Sequence, residues 1–193
     1  ALPAARLVPR RLDAPRPLPT LSPAEGPERA RVGLFPGCVS QEVFAAVNHA
    51  TVRVLNCNGG SVVIPSGEHC CGALHLHTGE REAARDLARR VVSAFADDLN
   101  AIIVTAAGCG ATMKGYGELL KDDTRYADRA RAFAARVRDV TEYLADLPLR
   151  APQGRIEAQV ACHDPCHLAH AQGVRDAPRA WLRAIPGIDL VEL

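Results

Sequence analysis

Aromatic side chains are scarce in this chain: 4 Phe, 3 Tyr and 1 Trp, or 4% of 193 residues. So few rings leave no stacking platform for single-stranded nucleic acid. An excess of one charge is missing as well. The 23 Lys and Arg offset 22 Asp and Glu, for a formal net charge of +1, so nothing attracts a nucleic-acid backbone or an anionic bilayer. No apolar run approaches the ~20 residues that span a membrane. The Pro-rich start has no apolar leader, and the 7 cysteines are odd in number. Both features argue against a disulfide framework and for a reducing cytoplasm with thiolates committed to metal. Hydrophobic residues at 48% predict a buried core rather than disorder.

The cysteines that are present centre on Glu68-His69-Cys70-Cys71-Gly72-Ala73-Leu74. Neighbours on an extended strand face opposite ways, so one core pocket rarely wants both thiols. A turn can bring both sulfurs toward one object, and Gly72 lets the backbone come close to it. Cys38 is separated from this pair by 31 intervening residues, and Cys109 from Gly72 by 36. The spacing suggests four sulfurs holding an iron–sulfur centre.

The rest of the chain supplies the scaffold. Residues 1–30 carry 7 of the 14 prolines among arginines and are expected to be a linker. Strands are predicted at 31–35, 61–64, 101–105, 155–161 and 188–193. Helices are predicted at 41–56, with Val43, Val47, Ala50, Val54 and Cys57 as its buried stripe, at 79–99 and at 112–120. A longer helix is expected to carry Tyr126, Ala130, Phe133, Val137, Val140 and Leu144 on one side. Asp164-Pro165 reads as a helix N-cap followed by proline at the first helical position. Strands alternating with helices imply an α/β fold: a mostly parallel sheet with flanking helices.

Cys38, Cys109 and Cys166 each follow a predicted strand near a helix start. In a parallel sheet these positions share the carboxyl edge, where α/β proteins bind ligands. Helix N-termini favour thiolate over thiol, and Lys114 is expected to act as a counter-charge. Phe35-Pro36-Gly37-Cys38 and His163-Asp164-Pro165-Cys166 also resemble each other. Two related cysteine-rich repeats are therefore expected, at 31–150 and 151–193. The second would be truncated, its own cysteine pair falling near position 198, as in a fragment of a longer protein.

At these residues the chain resembles the cysteine-rich "CCG" domain family. That family includes the B subunit of heterodisulfide reductase and the iron–sulfur subunits of glycolate- and lactate-oxidising complexes. The resemblance runs through Phe35–Cys38, Cys70–Leu74, Ala107–Lys114 with Tyr116-Gly117, and His163–Leu168. It is strongest toward the glycolate oxidase iron–sulfur subunit. It implies a [4Fe–4S] cluster on Cys38, Cys70, Cys71 and Cys109, with Cys166 as an orphan ligand from the second repeat. Thr112 stands where the family signature can place a further cysteine, which favours the four-cysteine set over five.

The resemblance further implies a non-catalytic electron-transfer subunit of a 2-hydroxy-acid dehydrogenase. A flavin-containing subunit would oxidise the substrate, and an upstream ferredoxin-like domain or chain would carry further clusters. Such a complex would be cytoplasmic, with peripheral attachment to the inner face of the cell membrane. Two other readings use the same residues. Cys162-His163-x-x-Cys166-His167 offers a donor set for a zinc-binding structural module. Cys70 and Cys71 could act directly as a vicinal-dithiol redox pair.

Overall fold

The computed structural model describes residues 17–67, 70–148 and 152–192. Its main sheet has five strands in the order β1-β3-β2-β4-β5. They are β1 (Leu21–Ser22), β2 (Ala30–Phe35), β3 (Gly60–Val63), β4 (Ala101–Val104) and β5 (Val137–Asp139). All pairings are parallel except that of β1, which runs antiparallel along the edge of β3. The expected mostly parallel α/β sheet is therefore present.

Of the expected linker, residues 1–16 lie outside the described residues. From Pro17 onward the chain is laid against the sheet: Glu25 N–H donates to the Asn56 carbonyl, and Ser22 Oγ donates to Asn56 Oδ1. The folded unit thus begins before Arg31.

Alternation along the strands explains why both faces are covered. Val32 and Leu34 on β2, with Ala101 and Ile103 on β4, join one apolar cluster. Phe35, Ile102 and Val104 join the other. The first cluster is closed by α2 (Ala45–Cys57) through Val52 and Leu55, and by α8 (Val140–Ala145). The second is closed by α4 (Arg81–Ala94), α5 (Ala107–Lys114), α6 (Tyr116–Leu119) and α7 (Ala127–Arg136). Strand residues that are apolar on both faces are what such a double cover requires.

Two helical expectations are corrected. The stripe of Val43, Val47 and Val54 is not the buried face: Val47 and Val54 are 48% and 43% exposed, while Asn48, Thr51, Val52 and Leu55 are buried. Polar Asn48 and Thr51 hide that face from a hydrophobicity pattern; Asn48 Nδ2 donates to the Pro36 carbonyl and Thr51 Oγ1 to the Val47 carbonyl. Cys57 accordingly is only partly covered, its Sγ 3.2 Å from Glu25 Oε2.

The long helix through Leu144 is broken by β5. Val137 and Val140 keep a helical spacing, so periodicity reads straight through a three-residue strand. The signal against it is Asp139, which caps α8 in a capping box with Glu142. An acid three residues ahead of Glu is a helix-start signature.

The second cysteine-rich segment folds as β6 (Ala158–Cys162), a π-helical turn (His167–Ala171), α9 (Asp176–Ala184) and β7 (Ile188–Glu192). β6 and β7 pair in parallel as a separate two-stranded sheet. Asp164 does not cap a helix; its carboxylate pairs with Arg179 at 2.6 Å. The turn instead starts from the Pro165 carbonyl, which accepts from Leu168 and Ala169 N–H.

Candidate metal centre

The strand order decides where a site can form. From β2 the chain crosses to β3 on one side, then returns over β2 to β4 on the other. Where the direction of winding reverses, a crevice opens outside the carboxyl ends of two neighbouring strands. Here those strands are β2 and β4, whose last residues Phe35 and Val104 are register partners. Cys38 opens α1 (Cys38–Val43) just after β2, and Cys109 lies in the first turn of α5 just after β4. Cys70 and Cys71 arrive from the loop after β3. Glu68 and His69 lie outside the described residues.

The vicinal pair divides its contacts. Cys70 reaches Cys38 within hydrogen-bond range, whereas Cys71 Sγ stands 3.0 Å from Cys109 Sγ. All four expected ligands therefore converge. Gly72 makes this turn possible with a left-handed backbone (φ 78°). A side chain there would also meet Ala84, whose Cα lies 3.2 Å from the Cβ position.

Behind the turn begins the five-residue helix α3 (Ala73–His77). Backbone N–H groups aim at the sulfurs, Gly72 at Cys70 and Ala73 at Cys71. The hydrogen bond from Cys109 is the largest influence lowering the Cys71 pKa, to about 7, helped by Ala73 N–H and opposed by burial. Cys109 is pushed well above its usual value, first by that hydrogen bond, then by burial and by the nearby thiolates. Burial is the main cause raising Cys70. Without a cation, four thiols this close cannot all ionise.

The donor set suits a polynuclear centre, in which each thiolate binds its own metal atom. Among the described residues, no three His, Cys, Asp or Glu side chains gather as required for a single metal ion. The zinc set is accordingly not assembled: Cys162 lies at the Arg179 end of β6, and the His167 ring packs at 5.6 Å from His77. Nor do Cys70 and Cys71 pair with each other; none of the cysteines is in a disulfide.

Cys166 is exposed at the start of the π-helical turn. That turn packs on α5: Gln172 Nε2 donates to the Ala107 carbonyl at 3.0 Å, and its side chain occupies the space a Cβ would fill at Gly110. The second segment is thus fastened to the helix that carries Cys109. Lys114 is not a free counter-charge, because its Nζ is 2.7 Å from Glu142 Oε2.

Tyr116 is a working residue that the pattern of cysteines does not reveal. It is fully buried, its hydroxyl donates to the Cys71 carbonyl at 2.8 Å, and its ring stacks on Phe133. A tyrosine in an aromatic-poor chain, seven residues after Cys109, is the available signal.

A thiol-lined crevice at the reversal point of a parallel α/β sheet defines a cysteine-rich domain with a centre built on sulfur. The CCG family, described as "Cysteine-rich domain", matches residues 32–114 and 160–193. The chain belongs to that family. It is 36% identical over 178 residues to the "Probable glycolate oxidase iron-sulfur subunit" of Bacillus subtilis, covering 91% of this chain and 40% of that protein. Against the B subunit of the CoM/CoB fumarate reductase of Methanothermobacter marburgensis the identity is 37%, over 85% of this chain and 31% of the relative. Against "Lactate utilization protein A" of Oceanobacillus iheyensis it is 30%, over 84% and 67%. The chain thus spans well under half the length of the first two. Among the described residues no helix is long and apolar enough to cross a membrane.

Proposed function

We propose that this chain is part of an iron–sulfur subunit of a 2-hydroxy-acid oxidoreductase, holding one [4Fe–4S] cluster on Cys38, Cys70, Cys71 and Cys109. The observation that carries the reading is the convergence of these four thiols at the β2–β4 crevice. The names of the glycolate oxidase and lactate utilization relatives support the substrate class. When bound, the cluster supplies reversible one-electron redox chemistry.

The chain's own residues set the conditions for that chemistry. Gly72 and Ala73 N–H groups donate to the Cys70 and Cys71 sulfurs, which favours the more negative, reduced state. Cys71 is buried, whereas Cys38 is exposed. Water is kept from one side of the site, and the Cys38 edge is left for electrons to enter and leave. On this reading a flavin-containing subunit oxidises the hydroxy acid and delivers electrons through a ferredoxin-like domain or chain. The complex works in the cytoplasm, attached peripherally to the membrane.

The test is anaerobic reconstitution followed by metal analysis and electron paramagnetic resonance. About four iron and four sulfide per chain, with a reducible cubane signal, is the expected outcome. Stoichiometric zinc, or no bound metal, would overturn it.

A further inference from the structure

The Cys71–Gly72 peptide is held at both of its polar ends. Its carbonyl accepts from the Tyr116 hydroxyl at 2.8 Å, and its N–H donates to the Cys70 sulfur. The two ends of a trans peptide point in opposite directions in one plane, so fixing the carbonyl also fixes where the N–H points. A glycine on one side makes such a peptide easy to rotate, since Gly tolerates both signs of φ. Tyr116 is in turn immobilised, with no exposure and a ring stacked on Phe133 at 5.8 Å between centroids. It belongs to the short helix that directly follows α5, the helix of Cys109.

We infer that Tyr116 is a positioning residue: by pinning the Cys71 carbonyl, its hydroxyl aims the Gly72 N–H at the Cys70 sulfur and so helps set the reduction potential of the centre. The inference deepens the proposed function and rests on it for the redox consequence, but the aiming of the peptide is a property of the chain alone. The phenol stays protonated, as a donor must. Losing an N–H···S bond removes stabilisation of the more reduced, more negative state, which lowers the potential.

The experiment compares Tyr116→Phe with the unaltered chain in two measurements. Amide exchange by NMR on the iron-free chain reads the Gly72 N–H directly. The midpoint potential of the reconstituted chain reads the consequence. Tyr116→Phe keeps the ring and should exchange Gly72 roughly 5- to 10-fold faster, the factor for a net hydrogen bond of about 1 kcal/mol. Its potential should fall with iron content unchanged. Leu55→Ala, in the apolar cluster on the other face of the sheet, serves as the control: it should lower Tm while leaving the Gly72 amide and the potential where they were.

An unchanged Gly72 amide, an unchanged potential, or a Leu55→Ala potential shifted as far as that of Tyr116→Phe would each overturn the assignment. If the unaltered chain takes up no cluster while Tyr116→Phe still speeds Gly72 exchange, the positioning role stands and the proposed function falls.

Discussion

The two cysteine-rich segments use the same local move and reach different ends. Each runs a strand into a proline-bearing turn, a cysteine and a helical turn. In the first segment β2 has a parallel neighbour on either side, β3 and β4. Cysteines that follow all three strands therefore meet over one crevice. In the second, β6 pairs only with β7 among the described residues.

The energetics differ in the same way. Val32, Leu34, Ile102 and Ile103 are fully buried, whereas no residue of β6, β7 or α9 is. Arg179 is clasped there by Asp164 and Glu192. Among the described residues the motif supplies a thiol in both segments, and in the first the strands on either side of β2 bring four thiols together.

The comparison breaks if core substitutions cost the two segments alike. Phe133→Ala should destabilise by about 3–5 kcal/mol, the cost of emptying a fully buried aromatic site. Trp181→Ala, in partly covered α9, should cost roughly half as much or less. Chemical denaturation checks both.

Gly72 and Gly173 sharpen the contrast at two left-handed glycines. Gly173→Ala has open space around its Cβ and should cost only the backbone strain, about 1–2 kcal/mol. Gly72→Ala adds a clash with the Ala84 backbone, so about 3 kcal/mol or more is expected, with loss of bound iron. Equal costs, or a Gly72→Ala chain that keeps its iron, would contradict the account.

A smaller effect should appear at Asp139, which belongs to the first segment. Burial is the main cause raising its pKa, so ionisation is less favourable in the folded chain than in the unfolded one. The stability this group contributes is fully present below its unfolded value of about 3.9 and is lost as pH rises through the higher folded value. Asp139→Asn keeps a capping side chain without that loss. Its stability relative to the unaltered chain should therefore rise as pH increases through the range just above 4, by about 1 kcal/mol or less. A gain that shrinks over this range would reverse the sign. The smallest effect is expected from Cys57→Ala, within about 0.5 kcal/mol and with iron content unchanged, because the thiol is outside the core.

Most of the main sheet and the four converging thiols were legible in the sequence, for a physical reason. Strands buried on both faces read as apolar runs, as in Ala101–Val104, and glycine or proline after them marks the carboxyl edge. What stayed hidden was placed by tertiary contacts. Asn48 and Thr51 form the buried face of α2 although they are polar. Val137–Asp139 is a strand because β4 offers it an edge, while its own spacing fits a helix. Tyr116 acquires its part in the site only when the chain folds back over Cys71. The early edge strand Leu21–Ser22 sits inside a proline-rich stretch whose composition reads as linker.

The central claim is that, among the described residues, Cys38, Cys70, Cys71 and Cys109 form one thiol site. The most direct test replaces each of the seven cysteines by serine in turn and measures iron per chain after anaerobic reconstitution. The account predicts that Cys38→Ser, Cys70→Ser, Cys71→Ser and Cys109→Ser lose most of the cluster, while Cys57→Ser, Cys162→Ser and Cys166→Ser retain about four iron. Full iron in any of the first four, or loss of iron in Cys162→Ser or Cys166→Ser, would contradict it.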